Sequence, residues 1–432
     1  MNSPVGPVLW YMAVFTNIAH IRYTLGSVLF EFATVEYDWP NASVKADYVS
    51  RGAYVPEACQ PSALKVGGPD QIFVTVPRLR YKDGVPASLN TVHEKSPGSR
   101  EAVFRPYPDW ESNTVGNCSA LQLPPSLEYD PRTGYLYVID VGRVGIWSPT
   151  EPSLNLCPAK IVVFDTKQGG RIVRSHDFPD HVAPRTTNFL NDIVLDYVDP
   201  DHPTEVKYAY ISDPLSEQLV VFDFTSNTSW SFKDAKSMSY DLDRNITIEG
   251  RAYTFSLGID GIALSPTFNY VYYSSVGSKK LWQIPTWVLR NKDSDFSGNI
   301  RLVGSKKSNA DGIMFGHRGL YYGALGLDAV FKWDIETDIL LQGVSEGEVK
   351  LVTDTAVAQN WESMQWPDGF AFGNPDIENL YFITNRAHLY HAGTLDFSGN
   401  HGPNFRIFQV AVNDSSYLTS PHRHFPHIGI IG

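Results

Sequence analysis

The residues best suited to chemistry in this chain recur at matched places. Asn191 and Asp192 open the phrase Asn191-Asp-Ile-Val-Leu-Asp; Asp260 opens Asp-Gly-Ile-Ala-Leu-Ser, Asp311 opens Asp-Gly-Ile-Met-Phe-Gly, and Asp368 opens Asp-Gly-Phe-Ala-Phe-Gly. Carboxylates gathered at one place suit a hard cation such as Ca²⁺, which prefers oxygen ligands. They also suit an organic cation, or acid–base work with raised pKa values. Two readings of each aspartate stand side by side, because Asp-Gly also forms tight turns through hydrogen bonds to its own backbone. Trp366 and Phe370 flank Asp368, and Tyr322 follows Asp311 at the end of an aromatic strand. Such rings hold planar ligands by stacking and cations by their quadrupole, although most aromatics in a β protein pack its core. Arg143 and Arg386 are further candidates for binding an oxyanion. His317, His388 and His391 are scattered, and His422, His424 and His427 form a C-terminal trio that offers only a weak metal reading. No nucleophile elbow, phosphate-binding loop, dinucleotide fingerprint or zinc-protease motif occurs.

Something must bring these distant phrases together, and the repeat supplies it. Each phrase is followed by a turn and an aromatic strand: Tyr208-Ala-Tyr-Ile-Ser, Tyr270-Val-Tyr-Tyr-Ser, Gly319-Leu-Tyr-Tyr-Gly and Asn379-Leu-Tyr-Phe-Ile. A third strand comes next, at Leu219-Val-Val-Phe-Asp, Lys280-Leu-Trp-Gln-Ile, Ala329-Val-Phe-Lys-Trp and Ala387-His-Leu-Tyr-His. Two weaker copies precede them, one from Ser62 through Ile72-Phe-Val-Thr-Val, the other from Ser126 through Tyr135-Leu-Tyr-Val-Ile-Asp. Six such units predict an all-β, six-bladed β-propeller, since one small sheet cannot bury both faces but six in a ring bury each other's. Phe30-Glu-Phe-Ala-Thr-Val is predicted to pair into the last blade beside Phe405-Arg-Ile-Phe-Gln-Val and close the ring. The inner strand of each blade would line the channel, with Asn191, Asp192, Asp260, Asp311 and Asp368 around one opening. The predicted organisation is a segment 1–29, a single propeller 30–415 and a tail 416–432.

Composition agrees with strands. Aromatics make up 13% of the 432 residues and charged residues only 19%, a balance that suits pleated surfaces. A net charge of −12 without a basic stripe excludes nucleic acid as an expected partner. No run reaches the roughly 18 apolar residues of a membrane span. Val8 to Phe15 is the one candidate hydrophobic region of a signal peptide, without a basic start or a clear cleavage site. Cys118 with Cys157 is the favoured disulfide, and three reduced thiols including Cys59 is the alternative. Asn41, Asn117, Asn227, Asn245 and Asn413 lie in glycosylation triplets.

Longer phrases resemble the yellow and major royal jelly proteins. They include Tyr37-Asp-Trp-Pro-Asn, Arg105-Pro-Tyr-Pro-Asp-Trp-Glu, Val138-Ile-Asp-Val-Gly-Arg-Val and Phe189-Leu-Asn-Asp-Ile-Val-Leu-Asp, in the family's order from about Phe30 to Val412. The resemblance implies a six-bladed propeller. It also implies a choice of activities: dopachrome-type isomerisation and amine sequestration among insect members, and hetero-Diels–Alder pericyclases of tropolone-sesquiterpenoid biosynthesis among fungal ones. Asp260-Gly-Ile-Ala-Leu-Ser-Pro is shorter than the insect form, and Trp366-Pro-Asp-Gly-Phe-Ala-Phe-Gly looks closer to fungal members. The expectation is a secondary-metabolism enzyme that guides a quinoid or quinone-methide electrophile toward a terpene co-substrate, without a cofactor. Asp192, Asp260, Asp311 or Asp368 would be the acid; Asn191, Tyr322, Trp366, Phe370, Arg386 and Arg143 would bind substrate. A binding protein for biogenic amines or small aromatics, a dopachrome-type isomerase and a Ca²⁺-dependent lactonase are the alternatives. Passage through the secretory pathway is expected, with a cytoplasmic location left open.

Overall fold

A computed structural model describes residues 26–68, 71–199, 205–373 and 378–419. Six four-stranded antiparallel sheets form the blades of a propeller. Their inner strands are Leu64–Gly68, Leu127–Asp130, Ile193–Asp196, Ile259–Leu264, Ile313–Phe315 and Pro367–Phe372, in blades 1 to 6. Each packs against the inner strands of the blades before and after it, and the sixth returns to the first. In blades 1 to 5 the chain runs outward strand by strand. Blade 6 differs: its fourth, outermost strand is Ser27–Phe32, paired antiparallel with Phe405–Ala411. That is the predicted closure, and it joins both ends of the ring without a free seam. Phe30 and Phe32 anchor it in a buried cluster with Phe104, Phe405 and Ile407.

Two expectations are corrected here. Ala387-His-Leu-Tyr-His is not the third strand of blade 6 but a short helix, Ala387–Ala392, and Phe405–Ala411 takes the strand's place. The helix follows Arg386 in a left-handed conformation (φ 48°) and ends at Gly393 (φ 69°), so the chain turns out of the sheet before it can continue as a strand. The tail does not leave the ring at residue 416. Tyr417 and Leu418 are fully buried, and the Tyr417 hydroxyl accepts a hydrogen bond from the Leu195 amide at the far end of blade 3's inner strand (2.9 Å). The candidate signal region and His422, His424 and His427 lie outside the described residues.

The cysteine alternatives are also resolved. Cys118 and Cys157 form a disulfide across two loops, and Cys59 is a buried free thiol. Among the described residues no helix is long and apolar enough to cross a membrane.

Candidate functional site at the channel mouth

Because each inner strand starts at the same end of the ring, the loops entering blades 3 to 6 deliver their polar residues to one opening. A cavity there encloses about 840 Å³ of empty space, counting the part open to solvent. Asn191, Asp192, Asp260, Asp311, Trp366, Asp368 and Phe370 all line it. The repeat therefore brings together residues up to 179 positions apart in the chain, Asn191 and Phe370.

The four aspartates divide between the two readings. Asp192 accepts from the Ile193 amide (2.9 Å) and from Ser126 Oγ (3.0 Å); Asp368 accepts from the Gly369 amide (2.7 Å) and from Asn385 Nδ2 (3.0 Å). Both bond an amide at the entry of their own strands, and Asp192 also accepts across blades, from Ser126 of blade 2 and the Ile262 amide of blade 4 (3.4 Å). Asp260 and Asp311 take side-chain donors from neighbouring blades. Asn191 Nδ2 donates to Asp260 Oδ1 (2.6 Å), and Trp366 Nε1 donates to Asp311 Oδ2 (2.7 Å). The Asp260 and Asp311 carboxyls also interact with each other, which adds to the rise in the Asp260 pKa and opposes the rise at Asp311.

Burial raises the pKa of all four. The rise is largest at Asp260 and Asp368, where the nearby Asp311 charge adds to desolvation, and smaller at Asp311, which accepts two hydrogen bonds. The arrangement is thus three neighbouring acids, of which Asp260 and Asp368 hold their protons more tightly than Asp311. Trp366 is held in the left-handed region (φ 57°), a conformation that costs a bulky residue about 1–2 kcal/mol. Its indole reaches Asp311 from that position, so backbone strain and the polar network meet at one residue.

The opposite wall is aromatic. Trp147 meets Phe189 edge-on (4.9 Å between ring centres), and Phe255 packs on Trp366 (4.8 Å). Phe255 follows a hairpin, Asn245–Ile248 with Arg251–Thr254, whose Ile246 and Ile248 cover Trp366 and Leu325. His391 lines the cavity against Trp147 (4.6 Å), and burial beside the Arg80 guanidinium pushes its pKa down to about 4. It is a neutral imidazole at physiological pH. The inner end of the cavity is stopped by a buried ion pair, Lys65 Nζ to Glu128 Oε2 (3.1 Å).

Three expected ligand contacts are not at this site. Tyr322 sits in the second strand of blade 5, one step back from the channel, where its buried hydroxyl donates to Asp354 Oδ2 (2.6 Å) and its ring stacks on Phe331. Arg143 is turned toward the loop before blade 3, donating to the Thr186 carbonyl (2.6 Å) and to Ser153 Oγ (3.1 Å). Arg386 points outward to the Glu362 carbonyl (3.3 Å). Sequence reasoning did not pick out Lys65, Asn385, Trp147, Phe189 and Phe255, nor give the cavity to His391. Lys65 and Glu128 had a readable signal: they occupy matching positions in the inner strands of adjacent blades with opposite charge.

A calcium centre does not fit this donor set. Among the described residues no three His, Cys, Asp or Glu side chains converge to hold a metal. Asp192 and Asp368 accept from backbone amides, and Asp260 and Asp311 from Asn191 and Trp366.

The sequence model of the family described as major royal jelly protein matches residues 131–419, from just after the inner strand of blade 2 through Phe405–Ala411 of blade 6. The chain belongs to the major royal jelly protein family. It is 31% identical to "Major royal jelly protein 1" of Apis mellifera over 71% of this chain and 69% of that protein. It is 30% identical to "Protein yellow" of Drosophila melanogaster over 61% of this chain, and spans about half the length of that relative (48%). Among solved structures, a PQQ-bound aldose sugar dehydrogenase from Streptomyces coelicolor aligns with 89% of this chain and 97% of its own at a TM-score of 0.44 and 12% identity, and no argument is built on it. In this royal jelly family member the family match includes every residue of the Asp192, Asp260, Asp311 and Asp368 set.

Proposed function

We propose that this royal jelly family protein is a small-molecule enzyme whose channel mouth protonates and orients a flat, oxygen-bearing electrophile. A quinoid or quinone-methide substrate that adds to a terpene in a hetero-Diels–Alder reaction is the specific case carried forward. The observation supporting it is the triad of Asp260, Asp311 and Asp368 facing aromatic walls. Burial and the neighbouring acids favour the protonated form of Asp260 and Asp368, and a carboxyl that donates to a carbonyl lowers the barrier of a reaction that develops charge on oxygen. The aromatic wall of Trp147, Phe189, Phe255 and Trp366 would hold both partners in a reactive pose and keep water out.

The test is incubation of the full chain with a hydroxymethyl-tropolone and a humulene-type terpene, following cycloadduct rate and stereochemistry. Acceleration with a single stereoisomer is expected, and Asp260→Asn should cut the rate by about 10²-fold, the usual scale for one acid or oxyanion donor. A product rate and stereochemistry identical to the protein-free reaction would overturn the proposal. The same aromatic-plus-carboxylate mouth supports a second reading, a binding protein for organic amines. It predicts calorimetric binding of serotonin or dopamine that strengthens as pH rises and the acids ionise; no heat at high protein concentration would remove it.

A further inference from the structure

A second cavity lies far from the mouth, in the seam between blades 2 and 3, with about 970 Å³ of empty space including its open side. Strand register builds its floor. Tyr137 pairs with Val163 across one ladder, and Val163 pairs with Arg174 across the next, so the three side chains stand in a row on one face of blade 2. Phe224 and Val206 of blade 3 face them, and Tyr135 closes one side. Phe224 meets Tyr137 edge-on (5.5 Å). The Arg174 guanidinium lies over the Phe224 ring (5.4 Å) and spends one nitrogen on the Phe224 carbonyl (2.7 Å).

Two features there have donors to spare among the described residues. Tyr137 is 5% exposed, and no described residue bonds to its hydroxyl, which borders the cavity. The hydroxyl can donate to a ligand or water there. Arg174 also lines the cavity, and the Phe224 carbonyl is its one hydrogen-bond acceptor among the described residues. Among the described residues that line the seam the charged side chains are Arg174 and Glu205, and Glu205 is tied to Lys207 outside it, which leaves Arg174 as the cation facing the cavity.

We propose that this seam is a second ligand site, separate from the channel, for a flat aromatic carboxylate. The carboxylate would take the guanidinium of Arg174, whose planar fork matches it, together with the Tyr137 hydroxyl. The ring would slide between Tyr135, Phe224, Val163 and Val206, an apolar slot with two convergent polar groups. The site rests on none of the chemistry at the mouth and stands whether or not that chemistry is as proposed.

The test is titration of the full chain with 2-naphthoate, followed by the ligand's fluorescence and by saturation-transfer NMR, with 2-naphthylmethylamine and 2-naphthol as comparison probes. The expected result is binding of the carboxylate in preference to both comparison probes. Arg174→Gln should weaken it about tenfold or more, the scale of a lost charge-assisted pair, and Tyr137→Phe by a few-fold. Asp260→Asn, at the mouth, should leave it unchanged. Tyr137→Phe keeps the ring packing, so it reports on the site even where the Arg174 variant fails to fold. Binding that favours the amine, binding that ignores both seam substitutions, or no binding at millimolar ligand would each overturn the proposal.

Discussion

At the far end of the channel Asp196 meets a guanidinium, whereas at the mouth Asp260 meets another carboxyl. Arg290 donates to Asp196 from Nε (3.0 Å) and Nη2 (2.8 Å), and Tyr210 and the Val198 amide complete its shell. Asp414, nearby in space to blade 5's inner strand end, accepts from the Tyr321 hydroxyl (2.9 Å) and the Arg318 and Ser415 amides. Asp130 accepts from Tyr197, Thr133 and the Arg132 amide. Each far-end carboxylate is surrounded by donors. At the mouth the donors are fewer, the neighbours are also acids, and no arginine or lysine bonds to Asp260, Asp311 or Asp368. Stability alone would not select that crowding, because like groups in a buried site raise each other's pKa and cost native stability once ionised. The difference separates carboxylates that hold the fold from carboxylates that are available to a ligand.

That contrast can be broken by substitution. Arg290→Met should be the most damaging change, leaving Asp196 as a buried charge without its partner and costing about 3–5 kcal/mol in denaturant unfolding. A tolerated Arg290→Met would mean that the far end is no better paired than the mouth. Trp366→Phe removes the indole donor to Asp311 and should cost about 1–3 kcal/mol; it should also slow any mouth-dependent reaction. Asp260→Asn should act in the opposite direction. An acid whose folded pKa lies above its unfolded value of about 4 binds its proton more tightly in the native state. Native stability then falls as pH rises from about 4 toward the folded value. The asparagine keeps the acceptor for Asn191 and a donor for Asp311 but cannot ionise. Its thermal midpoint should therefore exceed the wild type's at pH 8 and converge with it near pH 4; a deficit at pH 8 would show that the mouth acids are not strained by charge. Tyr322→Phe should be the mildest, about 1 kcal/mol for one buried hydrogen bond, with no effect on chemistry at the mouth. A selective loss of activity in that variant would bring Tyr322 back into the site.

The fold and much of the site were legible because the repeat carries both. A phrase that returns four times, with two weaker copies before it, marks inner strands, and a ring of inner strands must collect whatever residue type begins them. That reasoning places Asp192, Asp260, Asp311 and Asp368 together without any knowledge of side-chain packing. It could not separate turn-formers from ligand-facing acids, because that depends on which amide or indole lies within reach, and the decisive donor to Asp311 comes from Trp366, 55 residues on. Tyr322 was misplaced because strand alternation says which face a side chain takes but not that the second strand stands behind the channel wall. Arg143 and Arg386 were placed by proximity in sequence, while long side chains go where carbonyls are left over. Trp147, Phe255 and His391 come from a loop within blade 2, the segment after the hairpin between blades 3 and 4, and a helix within blade 6, where no period exists to read.

The pairing of Ser27–Phe32 with Phe405–Ala411 has a consequence for biosynthesis. Ribosomal synthesis delivers blades 1 to 5 while Ser27–Phe32 waits for Phe405–Ala411, so circularity is achieved only once the last strand of the ring has been made. Until then the waiting strand and the flank of blade 1 are sticky, and after it the molecule has no zipper left to open from either side. A chain deprived of those six early residues would present Phe405–Ala411 as a bare edge, and neighbouring copies would compete to supply the missing strand.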